Sequence, residues 1–76
     1  MSPKQMMILT FDRVVRESNS GLALLLDFGG GTREWLPKSQ LEELNEPSSG
    51  KVGGTVLTPE WLVLEKGLDA YAEGYD

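Results

Sequence analysis

Carboxylates are the side chains of this sequence with the greatest chemical capacity. Glu42, Glu43 and Glu46 form one group, and Glu60, Glu65, Asp69 and Glu73 form a second. Paired carboxylates can divide general-acid and general-base work or hold a magnesium ion, provided that a concave pocket shifts their pKa values. A chain of 76 residues offers little room for such a pocket. There is no histidine and no cysteine, which removes the commonest general base, every thiol nucleophile and the usual ligands for zinc, iron or copper. These carboxylates therefore read as a solvated face, and the chain as a non-enzyme with no metal and no cofactor. A solvated acidic face can still act. Carboxylates spaced along a helix and tail imitate DNA phosphates and suit a basic, nucleic-acid-binding groove on a partner. On this reading Glu42, Glu43, Glu46, Glu65, Asp69 and Glu73 meet the partner, and Tyr71 and Tyr75 add contact area at low entropic cost.

The second constellation is aromatic and basic. Trp35 on an extended segment, with Arg13, Arg16, Arg33 and Lys38 nearby, has the composition of a platform for single-stranded nucleic acid. Against it stands the scarcity of large apolar side chains, which assigns both Trp35 and Trp61 to the core. The run Gly29-Gly30-Gly31 could cradle a phosphate only if a helix with Lys and Ser/Thr at set spacing followed it. The β-type run Thr32-Arg33-Glu34-Trp35 follows instead, so the glycines read as a hairpin turn.

Charge is unevenly placed. Residues 1–38 hold five basic against four acidic side chains, and residues 39–76 hold two against eight, within a net charge of −5. The acidic second half disfavours nonspecific nucleic-acid binding there and favours a basic partner surface. No charged-then-apolar leader and no apolar run of membrane-spanning length is visible, which predicts a soluble protein of the host-cell cytoplasm.

The elements that must position these groups follow from local signals. Met6 to Glu17 reads as a strand, with Leu9, Phe11 and Val15 on one face. Ser18 to Gly21 is a turn. Leu22 to Phe28 is a central strand with Leu22, Leu24, Leu26 and Phe28 aligned. Thr32 to Leu36 completes the hairpin and Pro37 ends it. Ser39-Gln40-Leu41-Glu42 is a capping box and predicts a one-turn helix through about Leu44. Pro47 to Gly50 is a loop tip, and Lys51 to Leu57 a fourth strand, with Gly53-Gly54 marking a bulge or a close backbone approach. Thr58 as N-cap and Pro59 at the first helical position start a C-terminal helix with Trp61, Leu64 and Leu68 as its apolar stripe. Gly67 ends or bends that helix.

The sum is a single α+β domain over 1–76, with 1–5 and 70–76 frayed. It consists of about four antiparallel strands in a small twisted sheet or an open SH3-like or OB-like barrel, with a short inserted helix and a C-terminal helix. A core this small leaves homodimerisation open.

At Trp35-Leu36-Pro37-Lys38-Ser39-Gln40 and Thr58-Pro59-Glu60-Trp61-Leu62, followed by Glu65-Lys66-Gly67-Leu68, the chain resembles a group of short uncharacterised phage and prophage proteins. The resemblance spans roughly residues 20–68, and its motifs are structural junctions. It implies the setting of a small accessory protein of a mobile element. In such a setting an acidic, cysteine-free protein is expected to inhibit a host nucleic-acid-handling complex, as anti-CRISPR proteins do. The alternative expectation is the single-strand-binding accessory module built on Arg13, Arg16, Arg33, Trp35 and Lys38.

Overall fold

A computed structural model of the protein describes residues 5–46 and 53–75. Seven antiparallel strands form two sheets. β1 (Met6–Phe11) lies between β6 (Gly54–Pro59) and β7 (Ala72–Tyr75), and β5 (Glu42–Asn45) pairs outside β6. The second sheet is the meander of β2 (Arg13–Glu17), β3 (Ala23–Gly29) and β4 (Thr32–Pro37). Of the described residues 58% are strand and 18% helical. The α+β expectation, with four strands and a C-terminal helix, is therefore corrected to a mostly β fold of two sheets with one short helix.

Between β1 and β2 the chain changes sheets in a single residue, Asp12. Its N–H still donates to Asp27 O at 2.7 Å, so the corner keeps its hydrogen bonding as one continuous strand passes from one sheet to the other. The bend explains the imperfect alternation of the first apolar run. Leu9 and Phe11 point into the core, Val14 packs against it, and the register shifts between Val14 and Arg16, leaving Val15 as the extra residue of a bulge.

β3 follows the pattern read from its sequence. Leu24, Leu26 and Phe28 are buried, while the intervening residues face outward. Leu22, expected on the same face, precedes the strand and is exposed. Gly30 and Gly31 close the hairpin with φ of 61° and 85°, the positive pair that a two-residue type I′ turn requires. The core joins both sheets to the helical segment: Leu9, Phe11 and Val56 from one sheet, Leu24, Leu26, Phe28 and Leu36 from the other, with Leu62, Val63 and Leu68.

The inserted helix is absent. Lys38–Gln40 forms a single 3-10 turn whose N-cap is Pro37, without a side-chain cap, and the chain then extends into β5. A one-turn helix could bury little of Leu41 and Leu44. An extended segment instead supplies partners for the exposed backbone edge of β6, a larger gain for a segment this short. The loop tip at Pro47–Gly50 and the start of the fourth strand at Lys51–Val52 lie outside the described residues, as do the first four residues and Asp76.

The helix α1 (Glu60–Glu65) has six residues and begins one position later than expected, capped by Pro59 rather than Thr58. Gly67, with φ of 68°, stops it. The Leu68 N–H reaches Val63 O at 2.9 Å and the Gly67 N–H reaches Leu64 O at 3.2 Å, the paired bonds of a Schellman ending. That turn takes Leu68 off the helical period and seats it beside Val63 in the core. The inward face of α1 is consequently Leu62 and Val63, with Trp61 and Leu64 turned to solvent. The tail, expected to fray from residue 70, takes regular structure up to Tyr75. Asp69–Tyr71 makes a 3-10 turn and β7 adds to β1.

Candidate functional site

Because Leu24, Leu26 and Phe28 occupy the core side of β3, Leu25 and Asp27 lie on its outer face, together with their cross-strand partners. Pairing sets Arg13, Asp27 and Arg33 in one row across the three strands, and Arg16, Leu25 and Trp35 in the next. All three arginines of the chain therefore share one surface with one of its two tryptophans. The rows are two residues apart along β3, about 7 Å.

The contacts within this surface are specific. The Arg16 guanidinium lies over the Trp35 ring, 5.4 Å from its centre, within range of a cation–π interaction. Nε of Arg13 and Nε of Arg33 each stand 3.5 Å from Asp27 Oδ2. Asp27 Oδ1 accepts the N–H of Gly29 at 2.9 Å. This last bond, followed by the Arg33 and Arg13 charges, holds the Asp27 carboxyl below its ordinary pKa against a desolvation effect that raises it. Where the sheet ends, Lys38 Nζ pairs with Glu17 Oε2 at 2.8 Å. Of the residues expected as the alternative site, Arg13, Arg16, Arg33 and Trp35 are thus brought together, while Lys38 lies outside both rows, paired with Glu17 opposite the core-facing Leu24.

Both indoles were expected in the core, and neither belongs to it. Trp35 is half-buried on the outer sheet face, and Trp61 is 51% exposed on α1 beside Leu64. Among the described residues, ten aliphatic and phenyl side chains form the core cluster without them. The two rings do not share one strand surface: Trp35 belongs to the arginine sheet and Trp61 to the helix.

The acidic candidates are dispersed. Glu42 and Glu43 sit on β5 with Glu46 just beyond it, all exposed, and Glu43 takes a positive φ of 47°. Glu73 lies on β7 and accepts a hydrogen bond from Thr10 Oγ1. β5 and β7 are opposite edges of the four-stranded sheet, three strand spacings or about 14 Å apart. Glu65 ends α1 and Asp69 opens the following 3-10 turn, both exposed. Tyr71 is committed internally: its ring stacks on Phe28 with centroids 5.0 Å apart, and its hydroxyl donates to Thr32 Oγ1 at 3.1 Å. Tyr75 is exposed, and its hydroxyl donates to Glu60.

A concavity of about 190 Å³ opens on the outer side of the four-stranded sheet, lined by Ile8, Glu43, Asn45, Thr55, Val56 and Leu57. It is smaller than the ~300–1,000 Å³ of most small-molecule sites. Among the described residues, no three His, Cys, Asp or Glu side chains are grouped to hold a metal ion, and no helix is long and apolar enough to cross a membrane.

Sequence reasoning missed Asp27 and Leu25, the middle of the arginine surface. The hairpin carried only part of the signal. Regular counting outward from the Gly30–Gly31 turn pairs Asp27 with Glu34 and Leu25 with Leu36, and a register shift between Asp27 and Gly29 moves them to Arg33 and Trp35. No family model, curated protein or solved structure matches this chain.

Proposed function

We propose that the protein is a non-enzymatic binding module that takes single-stranded nucleic acid on the outer face of its three-stranded sheet. One observation carries this reading: Arg13, Arg16, Arg33 and Trp35 converge in two adjacent cross-strand rows of that face. Trp35 offers a stacking surface that any base can use, and the guanidinium groups offer charge to the backbone. On this face Arg13, Arg16 and Arg33 stand against Asp27, with Asp12 close to the hairpin, so the local balance is positive although the chain carries −5. Screening over about 8 Å at physiological salt limits repulsion from the distant acidic edges.

The acidic-inhibitor reading, anti-CRISPR included, draws less support. Its carboxylates are split between opposite sheet edges, and Tyr71 is engaged within the fold.

The test is fluorescence titration with an oligothymidylate in a Trp61→Phe background, where Trp35 is the only indole. Binding should quench Trp35 and weaken as salt rises, with a slope of about −0.7 for each phosphate neutralised. Trp35→Ala should weaken binding by the worth of one stacked base, about 1–3 kcal/mol. Absence of quenching at low salt, or equal affinity of the Arg13→Glu/Arg16→Glu/Arg33→Glu protein, would refute the proposal.

A further inference from the structure

We infer that the space between Arg13 and Arg33 is a phosphate subsite, and that Asp27 is its built-in competitor. This inference rests on the single-strand reading of the same face and names how that site is tuned. Two guanidinium groups on the outer strands of the sheet converge on one oxygen carried by the middle strand. That arrangement is how arginines hold a phosphate oxygen, with a carboxylate in the ligand's position.

Three features mark Asp27 as a displaceable occupant. Each arginine meets it through Nε at 3.5 Å, longer than the roughly 2.7–2.9 Å of a strong charge-assisted bond. The Arg13 and Arg33 side chains are 58% and 50% exposed, while that of Asp27 is 16% exposed, so the guanidinium groups extend past the carboxylate into solvent. The other carboxylate oxygen is held by the Gly29 N–H at the hairpin. Asp27 therefore stays below the arginines when an anion arrives, and the arginines can swing outward to it. Asp12 lies close to the same hairpin: a Cβ built on Gly29 would stand 2.9 Å from its Oδ2.

With the Trp35 platform one row away, the face offers one backbone contact and one stacking contact to the same strand of nucleic acid. Asp27 holds the affinity of that pair down. It also keeps the arginines aimed across the sheet when no ligand is bound, which a neutral residue would do less well.

Asp27→Asn separates the competitor from the scaffold, because the amide oxygen can still accept the Gly29 N–H while the charge is removed. Binding of a labelled oligothymidylate, followed by anisotropy across a salt series, should tighten about threefold to tenfold at low salt. The salt slope should steepen by about 0.7, the increment for one more neutralised phosphate on a single strand. The gain should vanish in the Arg13→Gln/Arg33→Gln background, a coupling that a purely structural Asp27 would not show. Urea unfolding of each variant establishes that the native fold is being compared.

If Asp27→Asn is folded and binds no more tightly than the parent while Trp35 is still quenched, the competitor role is wrong and the platform stands. If folded Asp27→Asn tightens binding equally without Arg13 and Arg33, the subsite is misplaced. If neither parent nor variant quenches Trp35, the platform reading fails and takes the subsite with it.

Discussion

Thr58→Val should stabilise the protein, although it deletes what local sequence logic would name a helix cap. Thr58 is fully buried in β6, and its Oγ1 has no hydrogen-bond partner. An unpaired buried hydroxyl costs about 1–3 kcal/mol by mutational comparison. Valine has nearly the same shape and places a methyl where the hydroxyl stood, facing the same core as Leu9 and Val56. The expected gain is about 1–2 kcal/mol. For a chain of this size each kcal/mol raises Tm by roughly 4–8 °C. In urea, with m near 1 kcal/mol/M, the midpoint should rise by about 1–2 M at constant m. A working N-cap predicts the opposite sign, a loss of about 1 kcal/mol on removing the hydroxyl. Thr58→Ser supplies the control: it keeps the hydroxyl and removes the buried methyl, so it should destabilise, whereas a cap would tolerate it. A lower midpoint for Thr58→Val than for the parent would refute the assignment of Thr58 to the strand interior.

Two further outcomes follow from the hairpin and its aspartate. Gly29→Ala should destabilise by about 1–2 kcal/mol, since φ is +89° and the new Cβ would stand 2.9 Å from Asp12 Oδ2. Gly30→Asn should be tolerated, because φ is +61° with no atom within 4 Å of a Cβ there, and asparagine visits this region readily; chemical denaturation compares the two. The folded-state pKa of Asp27 is depressed below 3.8, first by the Gly29 N–H and then by Arg33 and Arg13. Its contribution to stability is therefore present above pH 3.8 and is lost as the pH falls through the folded value. Urea midpoints between neutral pH and pH 2 should show this acid loss in the parent and lack its Asp27 part in Asp27→Asn.

Local chemistry was enough for several features of this chain. The run Leu24–Phe28 alternates with period two because one sheet face is buried, and three glycines with a β-type run after them specify a hairpin. Gly67 ends α1 through its own positive φ. Each of these is decided within a few residues. The arginine surface was legible as a composition, Trp35 with Arg13, Arg16 and Arg33, but its geometry and its central aspartate required the pairing of three strands. Elsewhere tertiary structure overruled local preference. Ser39–Glu42 has a helix-starting pattern and Thr58-Pro59 a capping pattern, yet a free sheet edge recruited β5 and a continuous backbone ladder kept Thr58 in β6. Short segments carry too few residues for a helix to hold itself together in water, so long-range backbone pairing decides them. The tryptophans were likewise placed by competition for space: the aliphatic and phenyl side chains fill this small interior, and both indoles remain outside it.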